Sequence, residues 1–188
     1  MKKYIYIFLV IPMIVNSADN EIYVDQSGAT ANIDLEQLGS GNIIGGASAI
    51  AGTMTPLDLD GTSLTLDINQ IGNTNKFLGD IYADNYTGFF EFTGDTNTFN
   101  MQTDPTNTYG ADSSDVNVQV TGSGNTFTLN HAVAALASTL DLDWTIQGSN
   151  NTITASIDYD SATNFMDIDG SDNTVTFDAA GFAGGYFY

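Results

Sequence analysis

A glycine followed three residues later by an asparagine recurs along most of this chain. The pair stands at Gly39/Asn42, Gly72/Asn75, Gly94/Asn97, Gly122/Asn125, Gly148/Asn151 and Gly170/Asn173, with a looser copy at Gly28/Asn32. From Gly28 onward the glycines lie 11, 33, 22, 28, 26 and 22 residues apart. The first three gaps and the last are multiples of 11, and the other two read as insertions in a loop. A repeat of this period marks a solenoid, whose units bury their apolar faces only by stacking on one another.

The flanks repeat as well. Two residues past each Asn of the six good copies stands an apolar residue: Ile44, Phe77, Phe99, Phe127, Ile153 and Val175. At a hydrophobic content of 42%, chance rarely fills every such position. Before the glycines, apolar residues alternate with polar ones, as in Leu64-Leu66-Ile68, Val116-Val118-Val120 and Leu140-Leu142-Trp144-Ile146. Alternation with period two predicts strands with one buried face, Trp144 included. Gly-x-x-Asn then reads as a tight turn, with Gly at positive φ and Asn bonding the backbone from inside the corner. Acid usage agrees, since 20 of the 23 acidic residues are Asp, a turn residue, and three are Glu.

These features predict an all-β chain, a β-helix-like β-solenoid of coils about 22 residues long. Each coil holds two strands joined by a Gly-x-x-Asn turn and a second arc; coils stack about 4.8 Å apart. The second arcs are expected to be enlarged at Gly45–Ser63, Thr103–Asp115 and His131–Thr139, with one helical turn at His131–Ala137. Residues 19–180 form the solenoid, and Gly181–Tyr188 is an aromatic, glycine-rich tail. The tail is expected to act as a cap, a docking strand or an export signal.

Lys2 and Lys3 precede an apolar run from Ile5 to Val15, and Ser17 and Ala18 follow. This is the layout of a secretory signal peptide, assigned to residues 1–18. A secreted, extracellular or cell-surface protein is therefore expected.

Composition excludes several function classes. The formal net charge is −20, and the only basic residues are Lys2, Lys3 and Lys76. Such a chain cannot neutralise phosphates, so neither nucleic acid nor an anionic membrane is an expected partner. There is no Cys, which removes thiol catalysis, disulfides and cysteine metal sites. His131 is the only histidine and is expected to be a solvated loop residue. No Gly-x-Ser-x-Gly elbow accompanies it, so no catalytic residue is assigned and no enzyme is expected. Asp167-Ile-Asp169-Gly170-Ser-Asp172-Asn173 and Asp58-Leu-Asp60-Gly61 look like pieces of calcium loops, but neither supplies the closing Glu. No cofactor or specific metal site is expected, only weak screening by divalent cations. Self-stacking of so acidic a chain is expected to need salt or such cations.

Gln-x-Gly-x-x-Asn between alternating apolar residues resembles the curlin repeat. The matching segments are Gln37-Leu38-Gly39-Ser40-Gly41-Asn42 and Gln70-Ile71-Gly72-Asn73-Thr74-Asn75, and Gln26-Ser27-Gly28 opens a partial copy. Later copies carry Phe92, Val120, Ile146 and Ile168 in place of the Gln. The resemblance covers about residues 22–178 and is strongest in the first half. It implies a secreted β-solenoid that polymerises with itself into an extracellular amyloid fibre for adhesion or biofilm matrix. A nucleator and an outer-membrane secretion apparatus are its implied partners. The stacking ladder would comprise Gln26, Gln37 and Gln70, the turn glycines from Gly39 to Gly170 and the Asn residues from Asn42 to Asn173.

A different reading rests on Thr126/Thr128, Thr152/Thr154 and Thr174/Thr176, which parity points outward. Stacked in register, these pairs form a flat array similar to those of ice-binding β-solenoids. The alternative function is thus a monomeric binding module, ice-binding or a surface adhesin, with a virion fibre component as a further one.

Overall fold

The computed structural model describes residues 21–45, 57–103, 113–131, 137–180 and 184–187. The signal segment expected at residues 1–18 lies outside these residues, as do residues 132–136 of the helical turn expected at His131–Ala137, whose end residues His131 and Ala137 are strand. Among the described residues there is no helix, and the chain is a β-solenoid. Its strands are β1 (Glu21–Ile22), β2 (Asp25–Ser27), β3 (Thr30–Leu38), β4 (Ile43–Ile44), β5 (Leu57–Ile71), β6 (Lys76–Thr93) and β7 (Thr98–Thr103). They continue with β8 (Ser113–Thr121), β9 (Thr126–His131), β10 (Ala137–Gln147), β11 (Thr152–Asp169), β12 (Thr174–Ala180) and β13 (Gly184–Phe187).

Every pairing is parallel, as coils wound in one sense require. Two walls result. The first stacks β3, β5, β6, β8, β10, β11 and β13 in that order. The second stacks β1, β4, β6, β7, β9, β11 and β12. Strands β5, β6 and β11 belong to both, because each rounds the second corner without a break. The coils of 28 and 26 residues place their surplus at that corner, as the enlarged arcs were expected to do, whereas the surplus of the 33-residue coil falls before it, between Ile44 and Leu57 and opposite Leu78. The strands nonetheless reach further than expected: residues 57–63 and 113–115 belong to β5 and β8.

The core lies between the walls. Ile44, Phe77, Phe99, Phe127 and Ile153 form the expected inward column and are fully buried. Phe77 stacks on Phe99 with centroids 5.1 Å apart, and Phe99 on Phe127 at 5.7 Å. Phe90 and Phe92 meet this stack edge-on from the first wall, the offset that aromatic quadrupoles prefer. Trp144 is buried, as its alternation predicted. Val175, in the last coil of the column, is 39% exposed because no coil covers it.

One feature departs from expectation, and another narrows it. His131 is not a solvated loop residue; it ends β9 with 0% exposure, in register between Thr103 and Ile157. Residues 184–187 of the aromatic tail are a strand, β13, which adds to the first wall on β11.

Candidate stacking and binding surfaces

The Gly-x-x-Asn corner is built the same way in each coil. The glycines adopt φ between 127° and 143° at Gly39, Gly72, Gly94, Gly122, Gly148 and Gly170. A side chain fails there for a second reason. A Cβ on Gly122 would overlap the carbonyl of Gly94 beneath it, and the same holds from coil to coil. Corner backbones therefore stack in direct contact, and each glycine N–H donates to the next coil, as Gly94 does to Thr121 at 2.8 Å.

The Asn side chains turn inward and form the expected ladder. The backbone N–H of Asn42 donates to Oδ1 of Asn75 at 3.0 Å, and that of Asn75 to Asn97 at 2.9 Å. Asn97 donates likewise to Asn125, Asn125 to Asn151, and Asn151 to Asn173, all at 2.8–2.9 Å. Nδ2 of Asn75 and of Asn97 donates to the carbonyl of its own corner glycine, at 2.9 and 3.0 Å. Asn42, Asn75, Asn97, Asn125 and Asn151 are buried. A buried amide satisfied on both sides adds about 1 kcal/mol per bond, and costs more than that when a partner is removed.

A second ladder runs outside the corner, at the residue after each glycine. N–H of Asp95 donates to Oδ1 of Asn73 at 2.8 Å, and N–H of Ser123 to a carboxylate oxygen of Asp95 at 2.6 Å. Ser149 donates to Ser123 Oγ, and Ser171 to Ser149 Oγ, at 3.1 Å. These bonds point back along the chain, whereas those of the inner ladder point forward. The sequence reading missed this column. Its signal was present, since Ser40, Asn73, Asp95, Ser123, Ser149 and Ser171 all carry a short side-chain acceptor. The third corner position is left-handed: Thr74 and Thr96 have φ of 61° and 59°, and Gly41, Gly124, Asn150 and Asp172 fill it elsewhere.

The glutamines divide. Gln37 and Gln70 are buried in register, and Nε2 of Gln70 donates to Oε1 of Gln37 at 2.7 Å. Above them the same column continues through Phe92, Val120, Ile146 and Ile168. Gln26 stands outside this column. It pairs with Leu59 next to the second corner, where Gly28 stacks on Gly61. Gly28 therefore belongs to the opposite corner from Gly39, and the partial copy is no ladder rung.

The threonines stand in register as expected. Thr126, Thr152 and Thr174 form one column, and Thr128, Thr154 and Thr176 the next. Thr98 extends the first and Asn100 the second, on an outward face that is half-buried to exposed.

Acidic residues crowd at the other corner. Asp25, Asp58 and Asp80 occupy one column. Partial burial first, then the neighbouring carboxylates, raises the pKa of Asp58, and burial with the Asp58 charge raises that of Asp80. Asp167, Asp169 and Asp172 are exposed on the last coil. Among the described residues no group of three or more His, Asp or Glu is placed to hold a metal ion.

On the first wall a groove of about 470 Å³ runs along the stack, crossing five coils from Ser63–Thr65 to Ser161–Thr163. Asp115 and Asp141 sit in adjacent coils within it. Partial burial, then the charges of Asp143 and Asp115, raises the Asp141 pKa.

Among the described residues both ends of the stack are open: no strand pairs with the outer edges of β1, β2 and β3, or of β12 and β13. Ile22, Val24, Ile33 and Leu35 are only partly covered at one end, as are Met166, Ile168, Phe177 and Ala179 at the other. Compared with known proteins, the chain matches no family model, no curated protein and no solved structure.

Proposed function

We propose that this chain is a secreted structural subunit that stacks end to end into an extracellular, curli-like amyloid fibre serving adhesion or biofilm matrix. The pair of open ends carries the reading. Each presents unpaired backbone groups above a partly exposed apolar layer, which is a template for another strand layer. All strands are parallel and both corner ladders have a direction, so one end complements the other and not itself. Such a head-to-tail contact does not close and gives a filament. The resemblance to curlin repeats supports the same reading through the buried Asn ladder and the Gln37–Gln70 pair. A nucleator and an outer-membrane secretion apparatus are the further partners that it implies.

Charge opposes assembly, because every subunit brings the same sign. Salt screens exposed carboxylates beyond roughly 8 Å at physiological ionic strength. Residues 19–188 are therefore to be incubated at low and high salt, with and without calcium. Unbranched fibres with a meridional reflection at about 4.8 Å, growing faster in salt, are the expected result. Monomers that persist under all these conditions would reject the proposal.

The in-register threonines favour a second reading, a monomeric module that binds an ordered surface such as ice. Thermal hysteresis lost in Thr154→Lys, with the fold retained, would support it.

A further inference from the structure

We infer that the groove along the first wall is a binding site for a neutral oligosaccharide lying parallel to the solenoid axis. The inference does not rest on fibre formation.

The shape comes first. Five coils at about 4.8 Å each give the groove a length of roughly 19 Å, suited to an extended polymer rather than a compact ligand. Its polar groups repeat with the coils. One lining column begins at Ser63 and passes through Asn85, Ser113 and Thr139, and the next begins at Thr65 and holds Asp115 and Asp141. A ligand that carries hydroxyls at regular intervals meets a short polar side chain from each column in every coil.

The chemistry narrows the class. Hydroxyls both donate and accept, and each carboxylate accepts two hydroxyl protons. No Lys or Arg lines the groove, and two stacked carboxylates repel anions, so phosphorylated, sulfated or uronic chains are excluded. The row between the two columns, Leu64, Tyr86, Ser114, Leu140 and Ala162, faces the core: all five are buried, and the Tyr86 hydroxyl donates inward to Sδ of Met101 at 3.3 Å. Recognition therefore rests on the outward Ser, Thr, Asn and Asp side chains.

Aromatic residues flank the polar columns. Phe89 and Phe165 share one outward column next to that of Thr87 and Thr163, and Phe165 is 45% exposed. Asn117 and Asp143 stand between them in that column, and in the earlier coils it holds Asp34 and Asp67. The apolar face of a sugar ring stacks on an exposed ring of this kind, which makes Phe165 the aromatic contact at one end of the groove.

The test uses residues 19–188 kept monomeric at low salt and titrated by calorimetry with cellohexaose, with the hexamer of N-acetylglucosamine, and with calcium chloride alone. At least one sugar is expected to bind, with Kd of about 1 mM or tighter. Thr139→Trp, which fills the middle of the groove, abolishes that binding, and Asp115→Ala with Asp141→Ala weakens it by about tenfold. Phe165→Ala weakens it by roughly threefold. Ser156→Trp, on the other wall, leaves it unchanged. Circular dichroism confirms that each variant is folded. The inference is overturned if neither sugar binds at about 10 mM, if Thr139→Trp binds as the parent does, or if calcium alone is taken up.

Discussion

The two corners of each coil solve the same geometric problem in opposite ways. At Gly-x-x-Asn the chain turns in four residues, six times over, with no insertion. Backbone touches backbone, and the inner and outer ladders bind successive coils in opposite directions. At the other corner the chain either runs straight through, as in β5, β6 and β11, or carries the surplus of the 28- and 26-residue coils. The tight corner sets coil register, so the opposite one is free to vary in length. Loop-closure cost grows slowly with length, which makes that freedom inexpensive.

The comparison can be broken most directly at the tight corner. Gly122→Ala adds a Cβ where the Gly94 carbonyl stands, at a φ of 135°. We expect a loss of about 4 kcal/mol or more, seen as a large drop in the denaturant midpoint. Asn125→Ala removes the acceptor of the buried Asn97 N–H and leaves that group unsatisfied. A loss of about 2–3 kcal/mol in the same measurement is expected.

The opposite corner is predicted to be tolerant. Inserting two glycines between Asp84 and Asn85, where β6 rounds the bend, costs about 1 kcal/mol or less. The same insertion between Asn73 and Thr74 prevents folding, because it removes both ladders from register. Equal effects at the two sites would end the comparison.

Two smaller effects sharpen it. Thr96 holds a left-handed backbone that Asn150 occupies two coils on. Thr96→Asn is expected to raise stability by about 0.5 kcal/mol, read as a small rise in Tm. At the loose corner, like charges stack in the Asp25–Asp58–Asp80 column, whereas at the tight corner Asp95 lies between Asn73 and Ser123. The carboxyl pKa values of Asp58 and Asp80 are raised in the folded chain, so folding binds protons there. Their destabilising contribution is present above the folded pKa and fades as pH falls toward 3.8, the ordinary value. Asp58→Asn should therefore stabilise the protein slightly at neutral pH and not at pH 4, in parallel melts at the two pH values.

Local pattern carried the tight corner and little of the loose one. Gly and Asn at fixed spacing announce positive φ and an inward amide, and the apolar residue two places on announces the core column. The outer ladder was legible too, in the short polar residue after each glycine. Gln26 shows the limit. Its Gln-x-Gly setting matches that of Gln37, yet it stands beside the second corner, because only pairing with Leu59 decides which corner a glycine occupies. The groove had no sequence signature either, since its lining comes from five coils brought together by register.

The sequence by itself determined the repeat, the tight corner, the inward aromatic column and the outward threonines. Each depends on backbone preferences and parity within one coil. Tertiary structure alone decided that β5, β6 and β11 round the second corner unbroken, that His131 is buried, and that residues 184–187 extend the first wall. The physical reason is that these features depend on neighbours one coil away. His131 is enclosed by Thr103 and Ile157, and no pattern within β9 distinguishes a covered position from an open one.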